Sequence, residues 1–94
     1  MEKPANTEEA VKYLLPMFEG MEQYFNDSED NFAAFCHSQL SGGIGMQIRN
    51  MFGFWTQDTE LYRWMVKEEK LEYADEMSDL LLRKVYQAWH ESKI

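Results

Sequence analysis

Apolar side chains return at three- and four-residue steps along most of the chain, and no segment alternates as a strand would. Thr7 is a good helix-capping residue, and Glu8 and Glu9 behind it suit the positive end of a helix. Val11, Leu14, Leu15 and Phe18 then form one stripe. Pro16 interrupts it, so either the helix kinks there or a second short helix starts with proline in its first turn. Gly20 weakens the continuation, and Asn26-Asp27-Ser28 reads as a turn.

Ser28 or Asp27 is expected to cap a helix over 29–40, with Phe32, Phe35, Cys36, Gln39 and Leu40 on one face. Ser41-Gly42-Gly43 loosens the backbone. A break near Gly42 and a helix from about 44 to 52 follow, carrying Ile44, Met46, Ile48, Met51 and Phe52. A single kinked helix over 29–52 is the alternative. Gly53 is a stop signal and Phe54-Trp55 a short connector. Asp58 or Thr59 caps the next helix, with Leu61, Trp64 and Met65 as its stripe and Lys67-Glu68-Glu69-Lys70 as its solvated end. Asp75 is expected to cap the last helix. Its buried face runs through Met77, Leu81, Val85, Ala88 and Trp89, widened by Leu80 and Leu82, with Asp79, Arg83, Lys84, Gln87 and Glu91 looking outward. The pattern predicts an all-α fold, a compact orthogonal bundle of about four to five short helices in a single domain over 1–94.

Ninety-four residues hold one modest core, and 45 % hydrophobic content with three Trp, six Phe, five Tyr and seven Met supplies it richly. Charge changes the picture more. The net charge is −8, and residues 1–30 carry −6 of it, while residues 31–57 hold a single charged side chain, Arg49. Such a chain repels phosphate, so direct binding to nucleic acid or an anionic membrane is disfavoured, whereas a partner protein with a basic surface suits it. The polar start, the single cysteine and the lack of a long apolar run predict a cytoplasmic protein with no membrane contact.

Arg49 is the most informative residue. A guanidinium in an apolar helix is costly unless paired and hydrogen-bonded, and Asp75 and Glu76 at the start of the last helix are the acids best placed to answer it. An internal clamp between the middle and last helices is the favoured reading; a receptor for an anion or carbonyl opening onto a cleft is the other. Phe52, Gly53, Phe54 and Trp55 make an aromatic corner, more simply a core plug than the frame of a ligand pocket.

Other motifs are weaker. Ser41-Gly42-Gly43-Ile44-Gly45 lacks the Lys-Ser/Thr pair and the preceding strand of a phosphate loop, so close helix packing at Gly45 is the better account. Cys36 and His37 are adjacent and diverge by about 100° on a helix, and His90 stands apart, so zinc is not expected and a Cys–His nucleophile has little support. The pairs Glu8-Glu9, Glu29-Asp30, Glu68-Glu69 and Asp75-Glu76 sit where acids serve helix ends or solvent. No cofactor and no catalytic residue are expected.

The run Ile44-Gly45-Met46-Gln47-Ile48-Arg49-Asn50-Met51-Phe52-Gly53-Phe54-Trp55 resembles a "Leu-Gly-x-x-Ile-Arg-Asn-x-x-Gly-Leu-Trp" signature, and Tyr73-Ala74-Asp75-Glu76-Met77-Ser78 resembles "His-Pro/Ala-Asp-Asp-Met-Ser" in the same proteins. These belong to a family of small bacterial and phage proteins known as a domain of unknown function. The resemblance implies that Arg49, Asn50, Trp55, Asp75 and Ser78 act as a linked set, and it carries no activity. Ser41, Tyr73 and Glu76 depart from it, the first two at positions where the family often has histidine.

Three functional readings follow. The preferred one is a small acidic regulatory protein that docks on another protein through apolar anchors with an acidic surface of Glu19, Glu22, Asp27, Glu29 and Asp30, in the manner of a phage inhibitor of a nucleic-acid-binding host system. The second is a ligand-binding protein or enzyme with a polar cleft at Arg49, Asn50, Trp55, Asp75, Glu76 and Ser78. The third is a homodimer whose face is covered by Met and Trp.

Overall fold

The structure is a computed structural model, and it describes residues 4–38 and 43–91. Among the described residues there are five α-helices: α1 (Thr7–Leu14), α2 (Glu29–His37), α3 (Ile44–Met51), α4 (Glu60–Glu68) and α5 (Ala74–Glu91). Two 3-10 turns, Leu15–Phe18 and Glu22–Asn26, lie between α1 and α2. The expected all-α bundle forms, and its longest element is the 18-residue α5.

The cap of α1 lies one residue before the expected one. Asn6 holds the extended backbone of a cap, and its Oδ1 accepts the Glu9 N–H at 2.9 Å. Thr7 is instead the first helical residue; it is buried and donates its Oγ1 hydroxyl to Glu69 Oε2 at 2.8 Å. Pro16 takes the second of its two expected roles, standing in the first turn of a new short helix, where its missing N–H costs nothing. Gly20 follows at φ +88°, which ends that turn.

Ser28 caps α2, accepting the Asn31 N–H at 3.1 Å, and α2 stops at His37 because Ser38 turns to extended backbone. Gly43 enters α3 from φ +76°. The two helices are therefore separate, and the single kinked helix over 29–52 does not form. The predicted roles of Gln39, Leu40, Ser41 and Gly42 lie outside the described residues.

The end of α3 is a full Schellman turn. Gly53 at φ +68° donates its N–H to the Asn50 carbonyl at 3.3 Å, and Phe54 donates to the Arg49 carbonyl at 3.0 Å. Thr59 caps α4 and also ties it to that turn, because its hydroxyl donates to the Phe52 carbonyl at 3.0 Å while accepting the Tyr62 N–H. At the last helix the expectation needs correcting: Asp75 is the second residue of α5, not its cap, and the first helical bond runs from Met77 N–H to the Tyr73 carbonyl.

Helix α5 packs against α1, α2 and α3. Its Met77, Leu81, Leu82 and Val85 are sealed in the core with Leu14, Ile48, Leu61 and Met65, while Ala88, Trp89 and Leu80 are half-buried. Phe25 anchors the aromatic half of this core, stacked between Phe32 at 4.7 Å and Trp89 at 4.6 Å with the edge of Phe18 at 5.7 Å. Each ring adds directional contact to its burial. No described helix is long and apolar enough to cross a membrane.

Candidate functional site

A linked set of polar side chains lies on the first turns of α5. Asp75, Asp79 and Arg83 follow one another at four-residue steps, with Ser78 three residues after Asp75, and share a face. Helix α3 offers Arg49 to that face, and the end of α2 offers His37.

Among the described residues, Arg49 is held through one nitrogen. Its Nη1 donates to Ser78 Oγ at 3.0 Å and lies 3.4 Å from Asp75 Oδ1. Ser78 is fully buried and donates its own proton back to the Asp75 carbonyl at 3.0 Å, so the hydroxyl is fixed in direction. The arginine side chain is only 13 % exposed, whereas that of Asp75 is 80 % exposed. The pair is thus one-sided: a buried cation held by a serine, and a solvated anion touching it loosely. Arg49 Nε is buried and has no hydrogen-bond partner. Leaving such a group unmet costs about 1–3 kcal/mol. The Trp55 ring lies against the guanidinium, 5.6 Å from its central carbon, and is itself 58 % exposed.

Gly45 explains how the cation fits. A methyl group there would stand 2.7 Å from His37 Nδ1 and 3.4 Å from Arg49 Nη1. The imidazole and the guanidinium therefore share the space above one glycine. From there His37 Nε2 reaches Asp79 Oδ1 at 3.2 Å, and Asp79 Oδ2 accepts Arg83 Nε at 2.9 Å. Arg83 continues to Asp30 on α2 at 2.6 Å, and those two hydrogen bonds raise its affinity for its proton.

Of the residues expected to act together, Arg49, Trp55, Asp75 and Ser78 do meet. Asn50 is exposed. Glu76 makes no ion pair with Arg49; it lies about 100° around the helix from Asp75, and it lines a shallow depression with Glu69, Leu71 and Leu80. The aromatic corner divides: Phe52 and Phe54 are core, and Trp55 is not. His37, Asp79 and Arg83 were not expected at the site. The one available signal was Asp79 itself, four residues after Asp75 and four before Arg83.

The acidic N-terminal group is partly engaged in contacts along the surface of the chain. Asp30 pairs with Arg83, and Glu29 accepts Gln87 Nε2 at 2.9 Å. Asp27 accepts Asn31 Nδ2 at 2.8 Å and the Ser28 N–H at 2.7 Å, which together hold its carboxyl below the usual range. Glu19 and Glu22 are exposed. Cys36 is sealed, and burial pushes its thiol up to about 12. His90 donates from Nε2 to the Phe25 carbonyl at 2.8 Å. Among the described residues no three His, Cys, Asp or Glu side chains are grouped as metal ligands. A cleft of about 700 Å³ lies elsewhere, walled by Val11, Leu15, Trp64, Lys84 and Ala88.

A family model whose description is "Domain of unknown function (DUF6794)" matches residues 3–89. No curated protein and no solved structure matches the chain.

Proposed function

The chain belongs to that family, and from this premise we propose that it is a small acidic interaction protein that docks on a basic partner protein through the surface around Arg49 and Asp75. The observation that carries the reading is where the large side chains go. Every phenylalanine but the half-buried Phe35 is buried, yet Trp55 (58 %), Tyr73 (67 %) and Met46 (58 %) stand in solvent. Trp55 packs on Arg49, Tyr73 stands two residues before Asp75, and Met46 is one turn before Arg49 on α3. Aromatic, methionine and arginine side chains are those that dominate binding surfaces. Asp75 and Glu76, both exposed, border the group with negative charge, which favours a cationic counterpart.

In its finer form the reading is a cytoplasmic inhibitor of bacterial or phage origin, whose carboxylates occupy a cationic site that its target keeps for phosphate. The net charge of −8 supports it.

A photo-cross-linking residue at position 55 tests the docking face in extracts of the native host, with the same residue at exposed Lys84 as control. The expected result is one adduct whose cross-linked peptide is rich in Lys and Arg. That adduct weakens with salt and is lost in Tyr73→Ser and in Asp75→Lys/Glu76→Lys. Adducts no stronger than those from position 84, or indifferent to both charge reversals, overturn the proposal.

A further inference from the structure

The docking face has a cation at its centre whose bonding is incomplete, and this says what the partner must bring. We infer that Arg49 is a receptor for a carboxylate supplied by the bound partner, and that Asp75 is the internal stand-in which that carboxylate displaces. The inference rests on the docking reading and deepens it.

Four observations carry it. Arg49 Nε is buried without a partner, so an oxygen arriving there recovers a lost hydrogen bond. The resident anion is poorly held: Asp75 reaches only Nη1, at 3.4 Å, and is 80 % exposed, whereas a well-made carboxylate grips two nitrogens at about 2.7–2.9 Å. The guanidinium does not need Asp75 to stay in place, because Ser78 Oγ holds Nη1 at 3.0 Å from inside the core. The cover over the group faces solvent, since the Trp55 ring that lies on it is 58 % exposed. An incoming carboxylate lifts the indole, bonds Nε and its neighbouring nitrogen edge-on, and releases Asp75 to a cation on the same partner. A structural clamp would be built the other way, with the acid buried and bidentate.

The test follows the Arg49 Nε–H signal in proton–nitrogen spectra of the labelled protein, assigned by its loss in Arg49→Lys. Sodium acetate is titrated at constant ionic strength against sodium chloride. A ten-residue peptide ending in a free carboxylate and its C-terminal amide follow. We expect a saturable downfield shift with acetate, none with chloride, and saturation at about tenfold lower acetate in Asp75→Asn, which removes the competing charge. Tighter binding of the acid peptide than of both acetate and the amide assigns the carboxylate to a protein chain end. Equal affinity for acetate and acid peptide overturns the partner as the source and leaves a free small carboxylate. A signal unmoved by either ligand in both proteins, or an Asp75→Asn variant that binds no better, overturns the inference. Failure here with a specific adduct at position 55 leaves docking standing and removes the carboxylate alone; a shift with no adduct does the reverse.

Discussion

His37 Nδ1 lies 2.7 Å from the point where a side chain at Gly45 would begin, so the imidazole occupies the room that glycine leaves on α3. Gly45→Ala is therefore expected to destabilise the fold by about 1 kcal/mol, the overpacking cost of about 1–3 kcal/mol less the roughly 1 kcal/mol that alanine gains over glycine within a helix. The ring must leave Asp79 to make way. Urea unfolding measures the loss, and His37→Ala in the same chain restores most of it if the clash is the cause.

Serine should matter more than aspartate to the stability of the Arg49 site. Ser78→Ala removes the buried acceptor of Nη1 and is expected to cost about 1–3 kcal/mol. Asp75→Ala removes a solvated partner and is expected to cost at most about 0.5 kcal/mol, as exposed ion pairs do. Equal losses in thermal or urea unfolding would show that the acid carries the arginine.

How much of this was legible in the sequence depended on the kind of signal. Leu61, Met65, Met77, Leu81 and Val85 were legible as core because helical burial repeats with a fixed step. Arg49 stood out because no other charge surrounds it for 27 residues, and its approach to Asp75 could be read from that isolation. The cap of α1 falls one residue before the expected Thr7, because a second good capping type, Asn6, adjoins it. Glu76 was wrongly paired with Arg49, although helical spacing already separates it from Asp75 and Ser78. His37 was invisible: its partner is 42 residues away, and a histidine at a helix end gives no pattern.

The carboxyl of Asp27 gives a pH dependence with a definite sign. Its folded value lies below the ordinary 3.8, chiefly through the Asn31 side chain and then the Ser28 N–H. A depressed carboxyl contributes stability above its unfolded value and loses it as pH falls through the folded one. The melting temperature of the natural chain should thus exceed that of Asp27→Asn above pH 3.8, and the difference should vanish in stronger acid. A difference that persists or grows below that range contradicts the assignment.

Cys36 should be silent in the folded protein. Sealed and with its thiol pushed up to about 12, it forms little thiolate. At pH 8 iodoacetamide should modify the native chain roughly a thousandfold more slowly than the urea-unfolded chain, since reactivity follows the thiolate fraction. Mass spectrometry over time reads both rates, and comparable rates would place the thiol at the surface.

The turn at Gly53 joins two events that would otherwise be independent. The Arg49 carbonyl accepts the Phe54 N–H, and the next residue, Trp55, folds back over the Arg49 side chain. Main chain and side chain of one arginine thus form the two fixed points of a short loop that carries the indole. Pulling on that indole strains the last bond of α3 and, through Phe54, the core beneath it. Exchange of the Phe54 amide with solvent should therefore register an occupant of the surface before any larger rearrangement does.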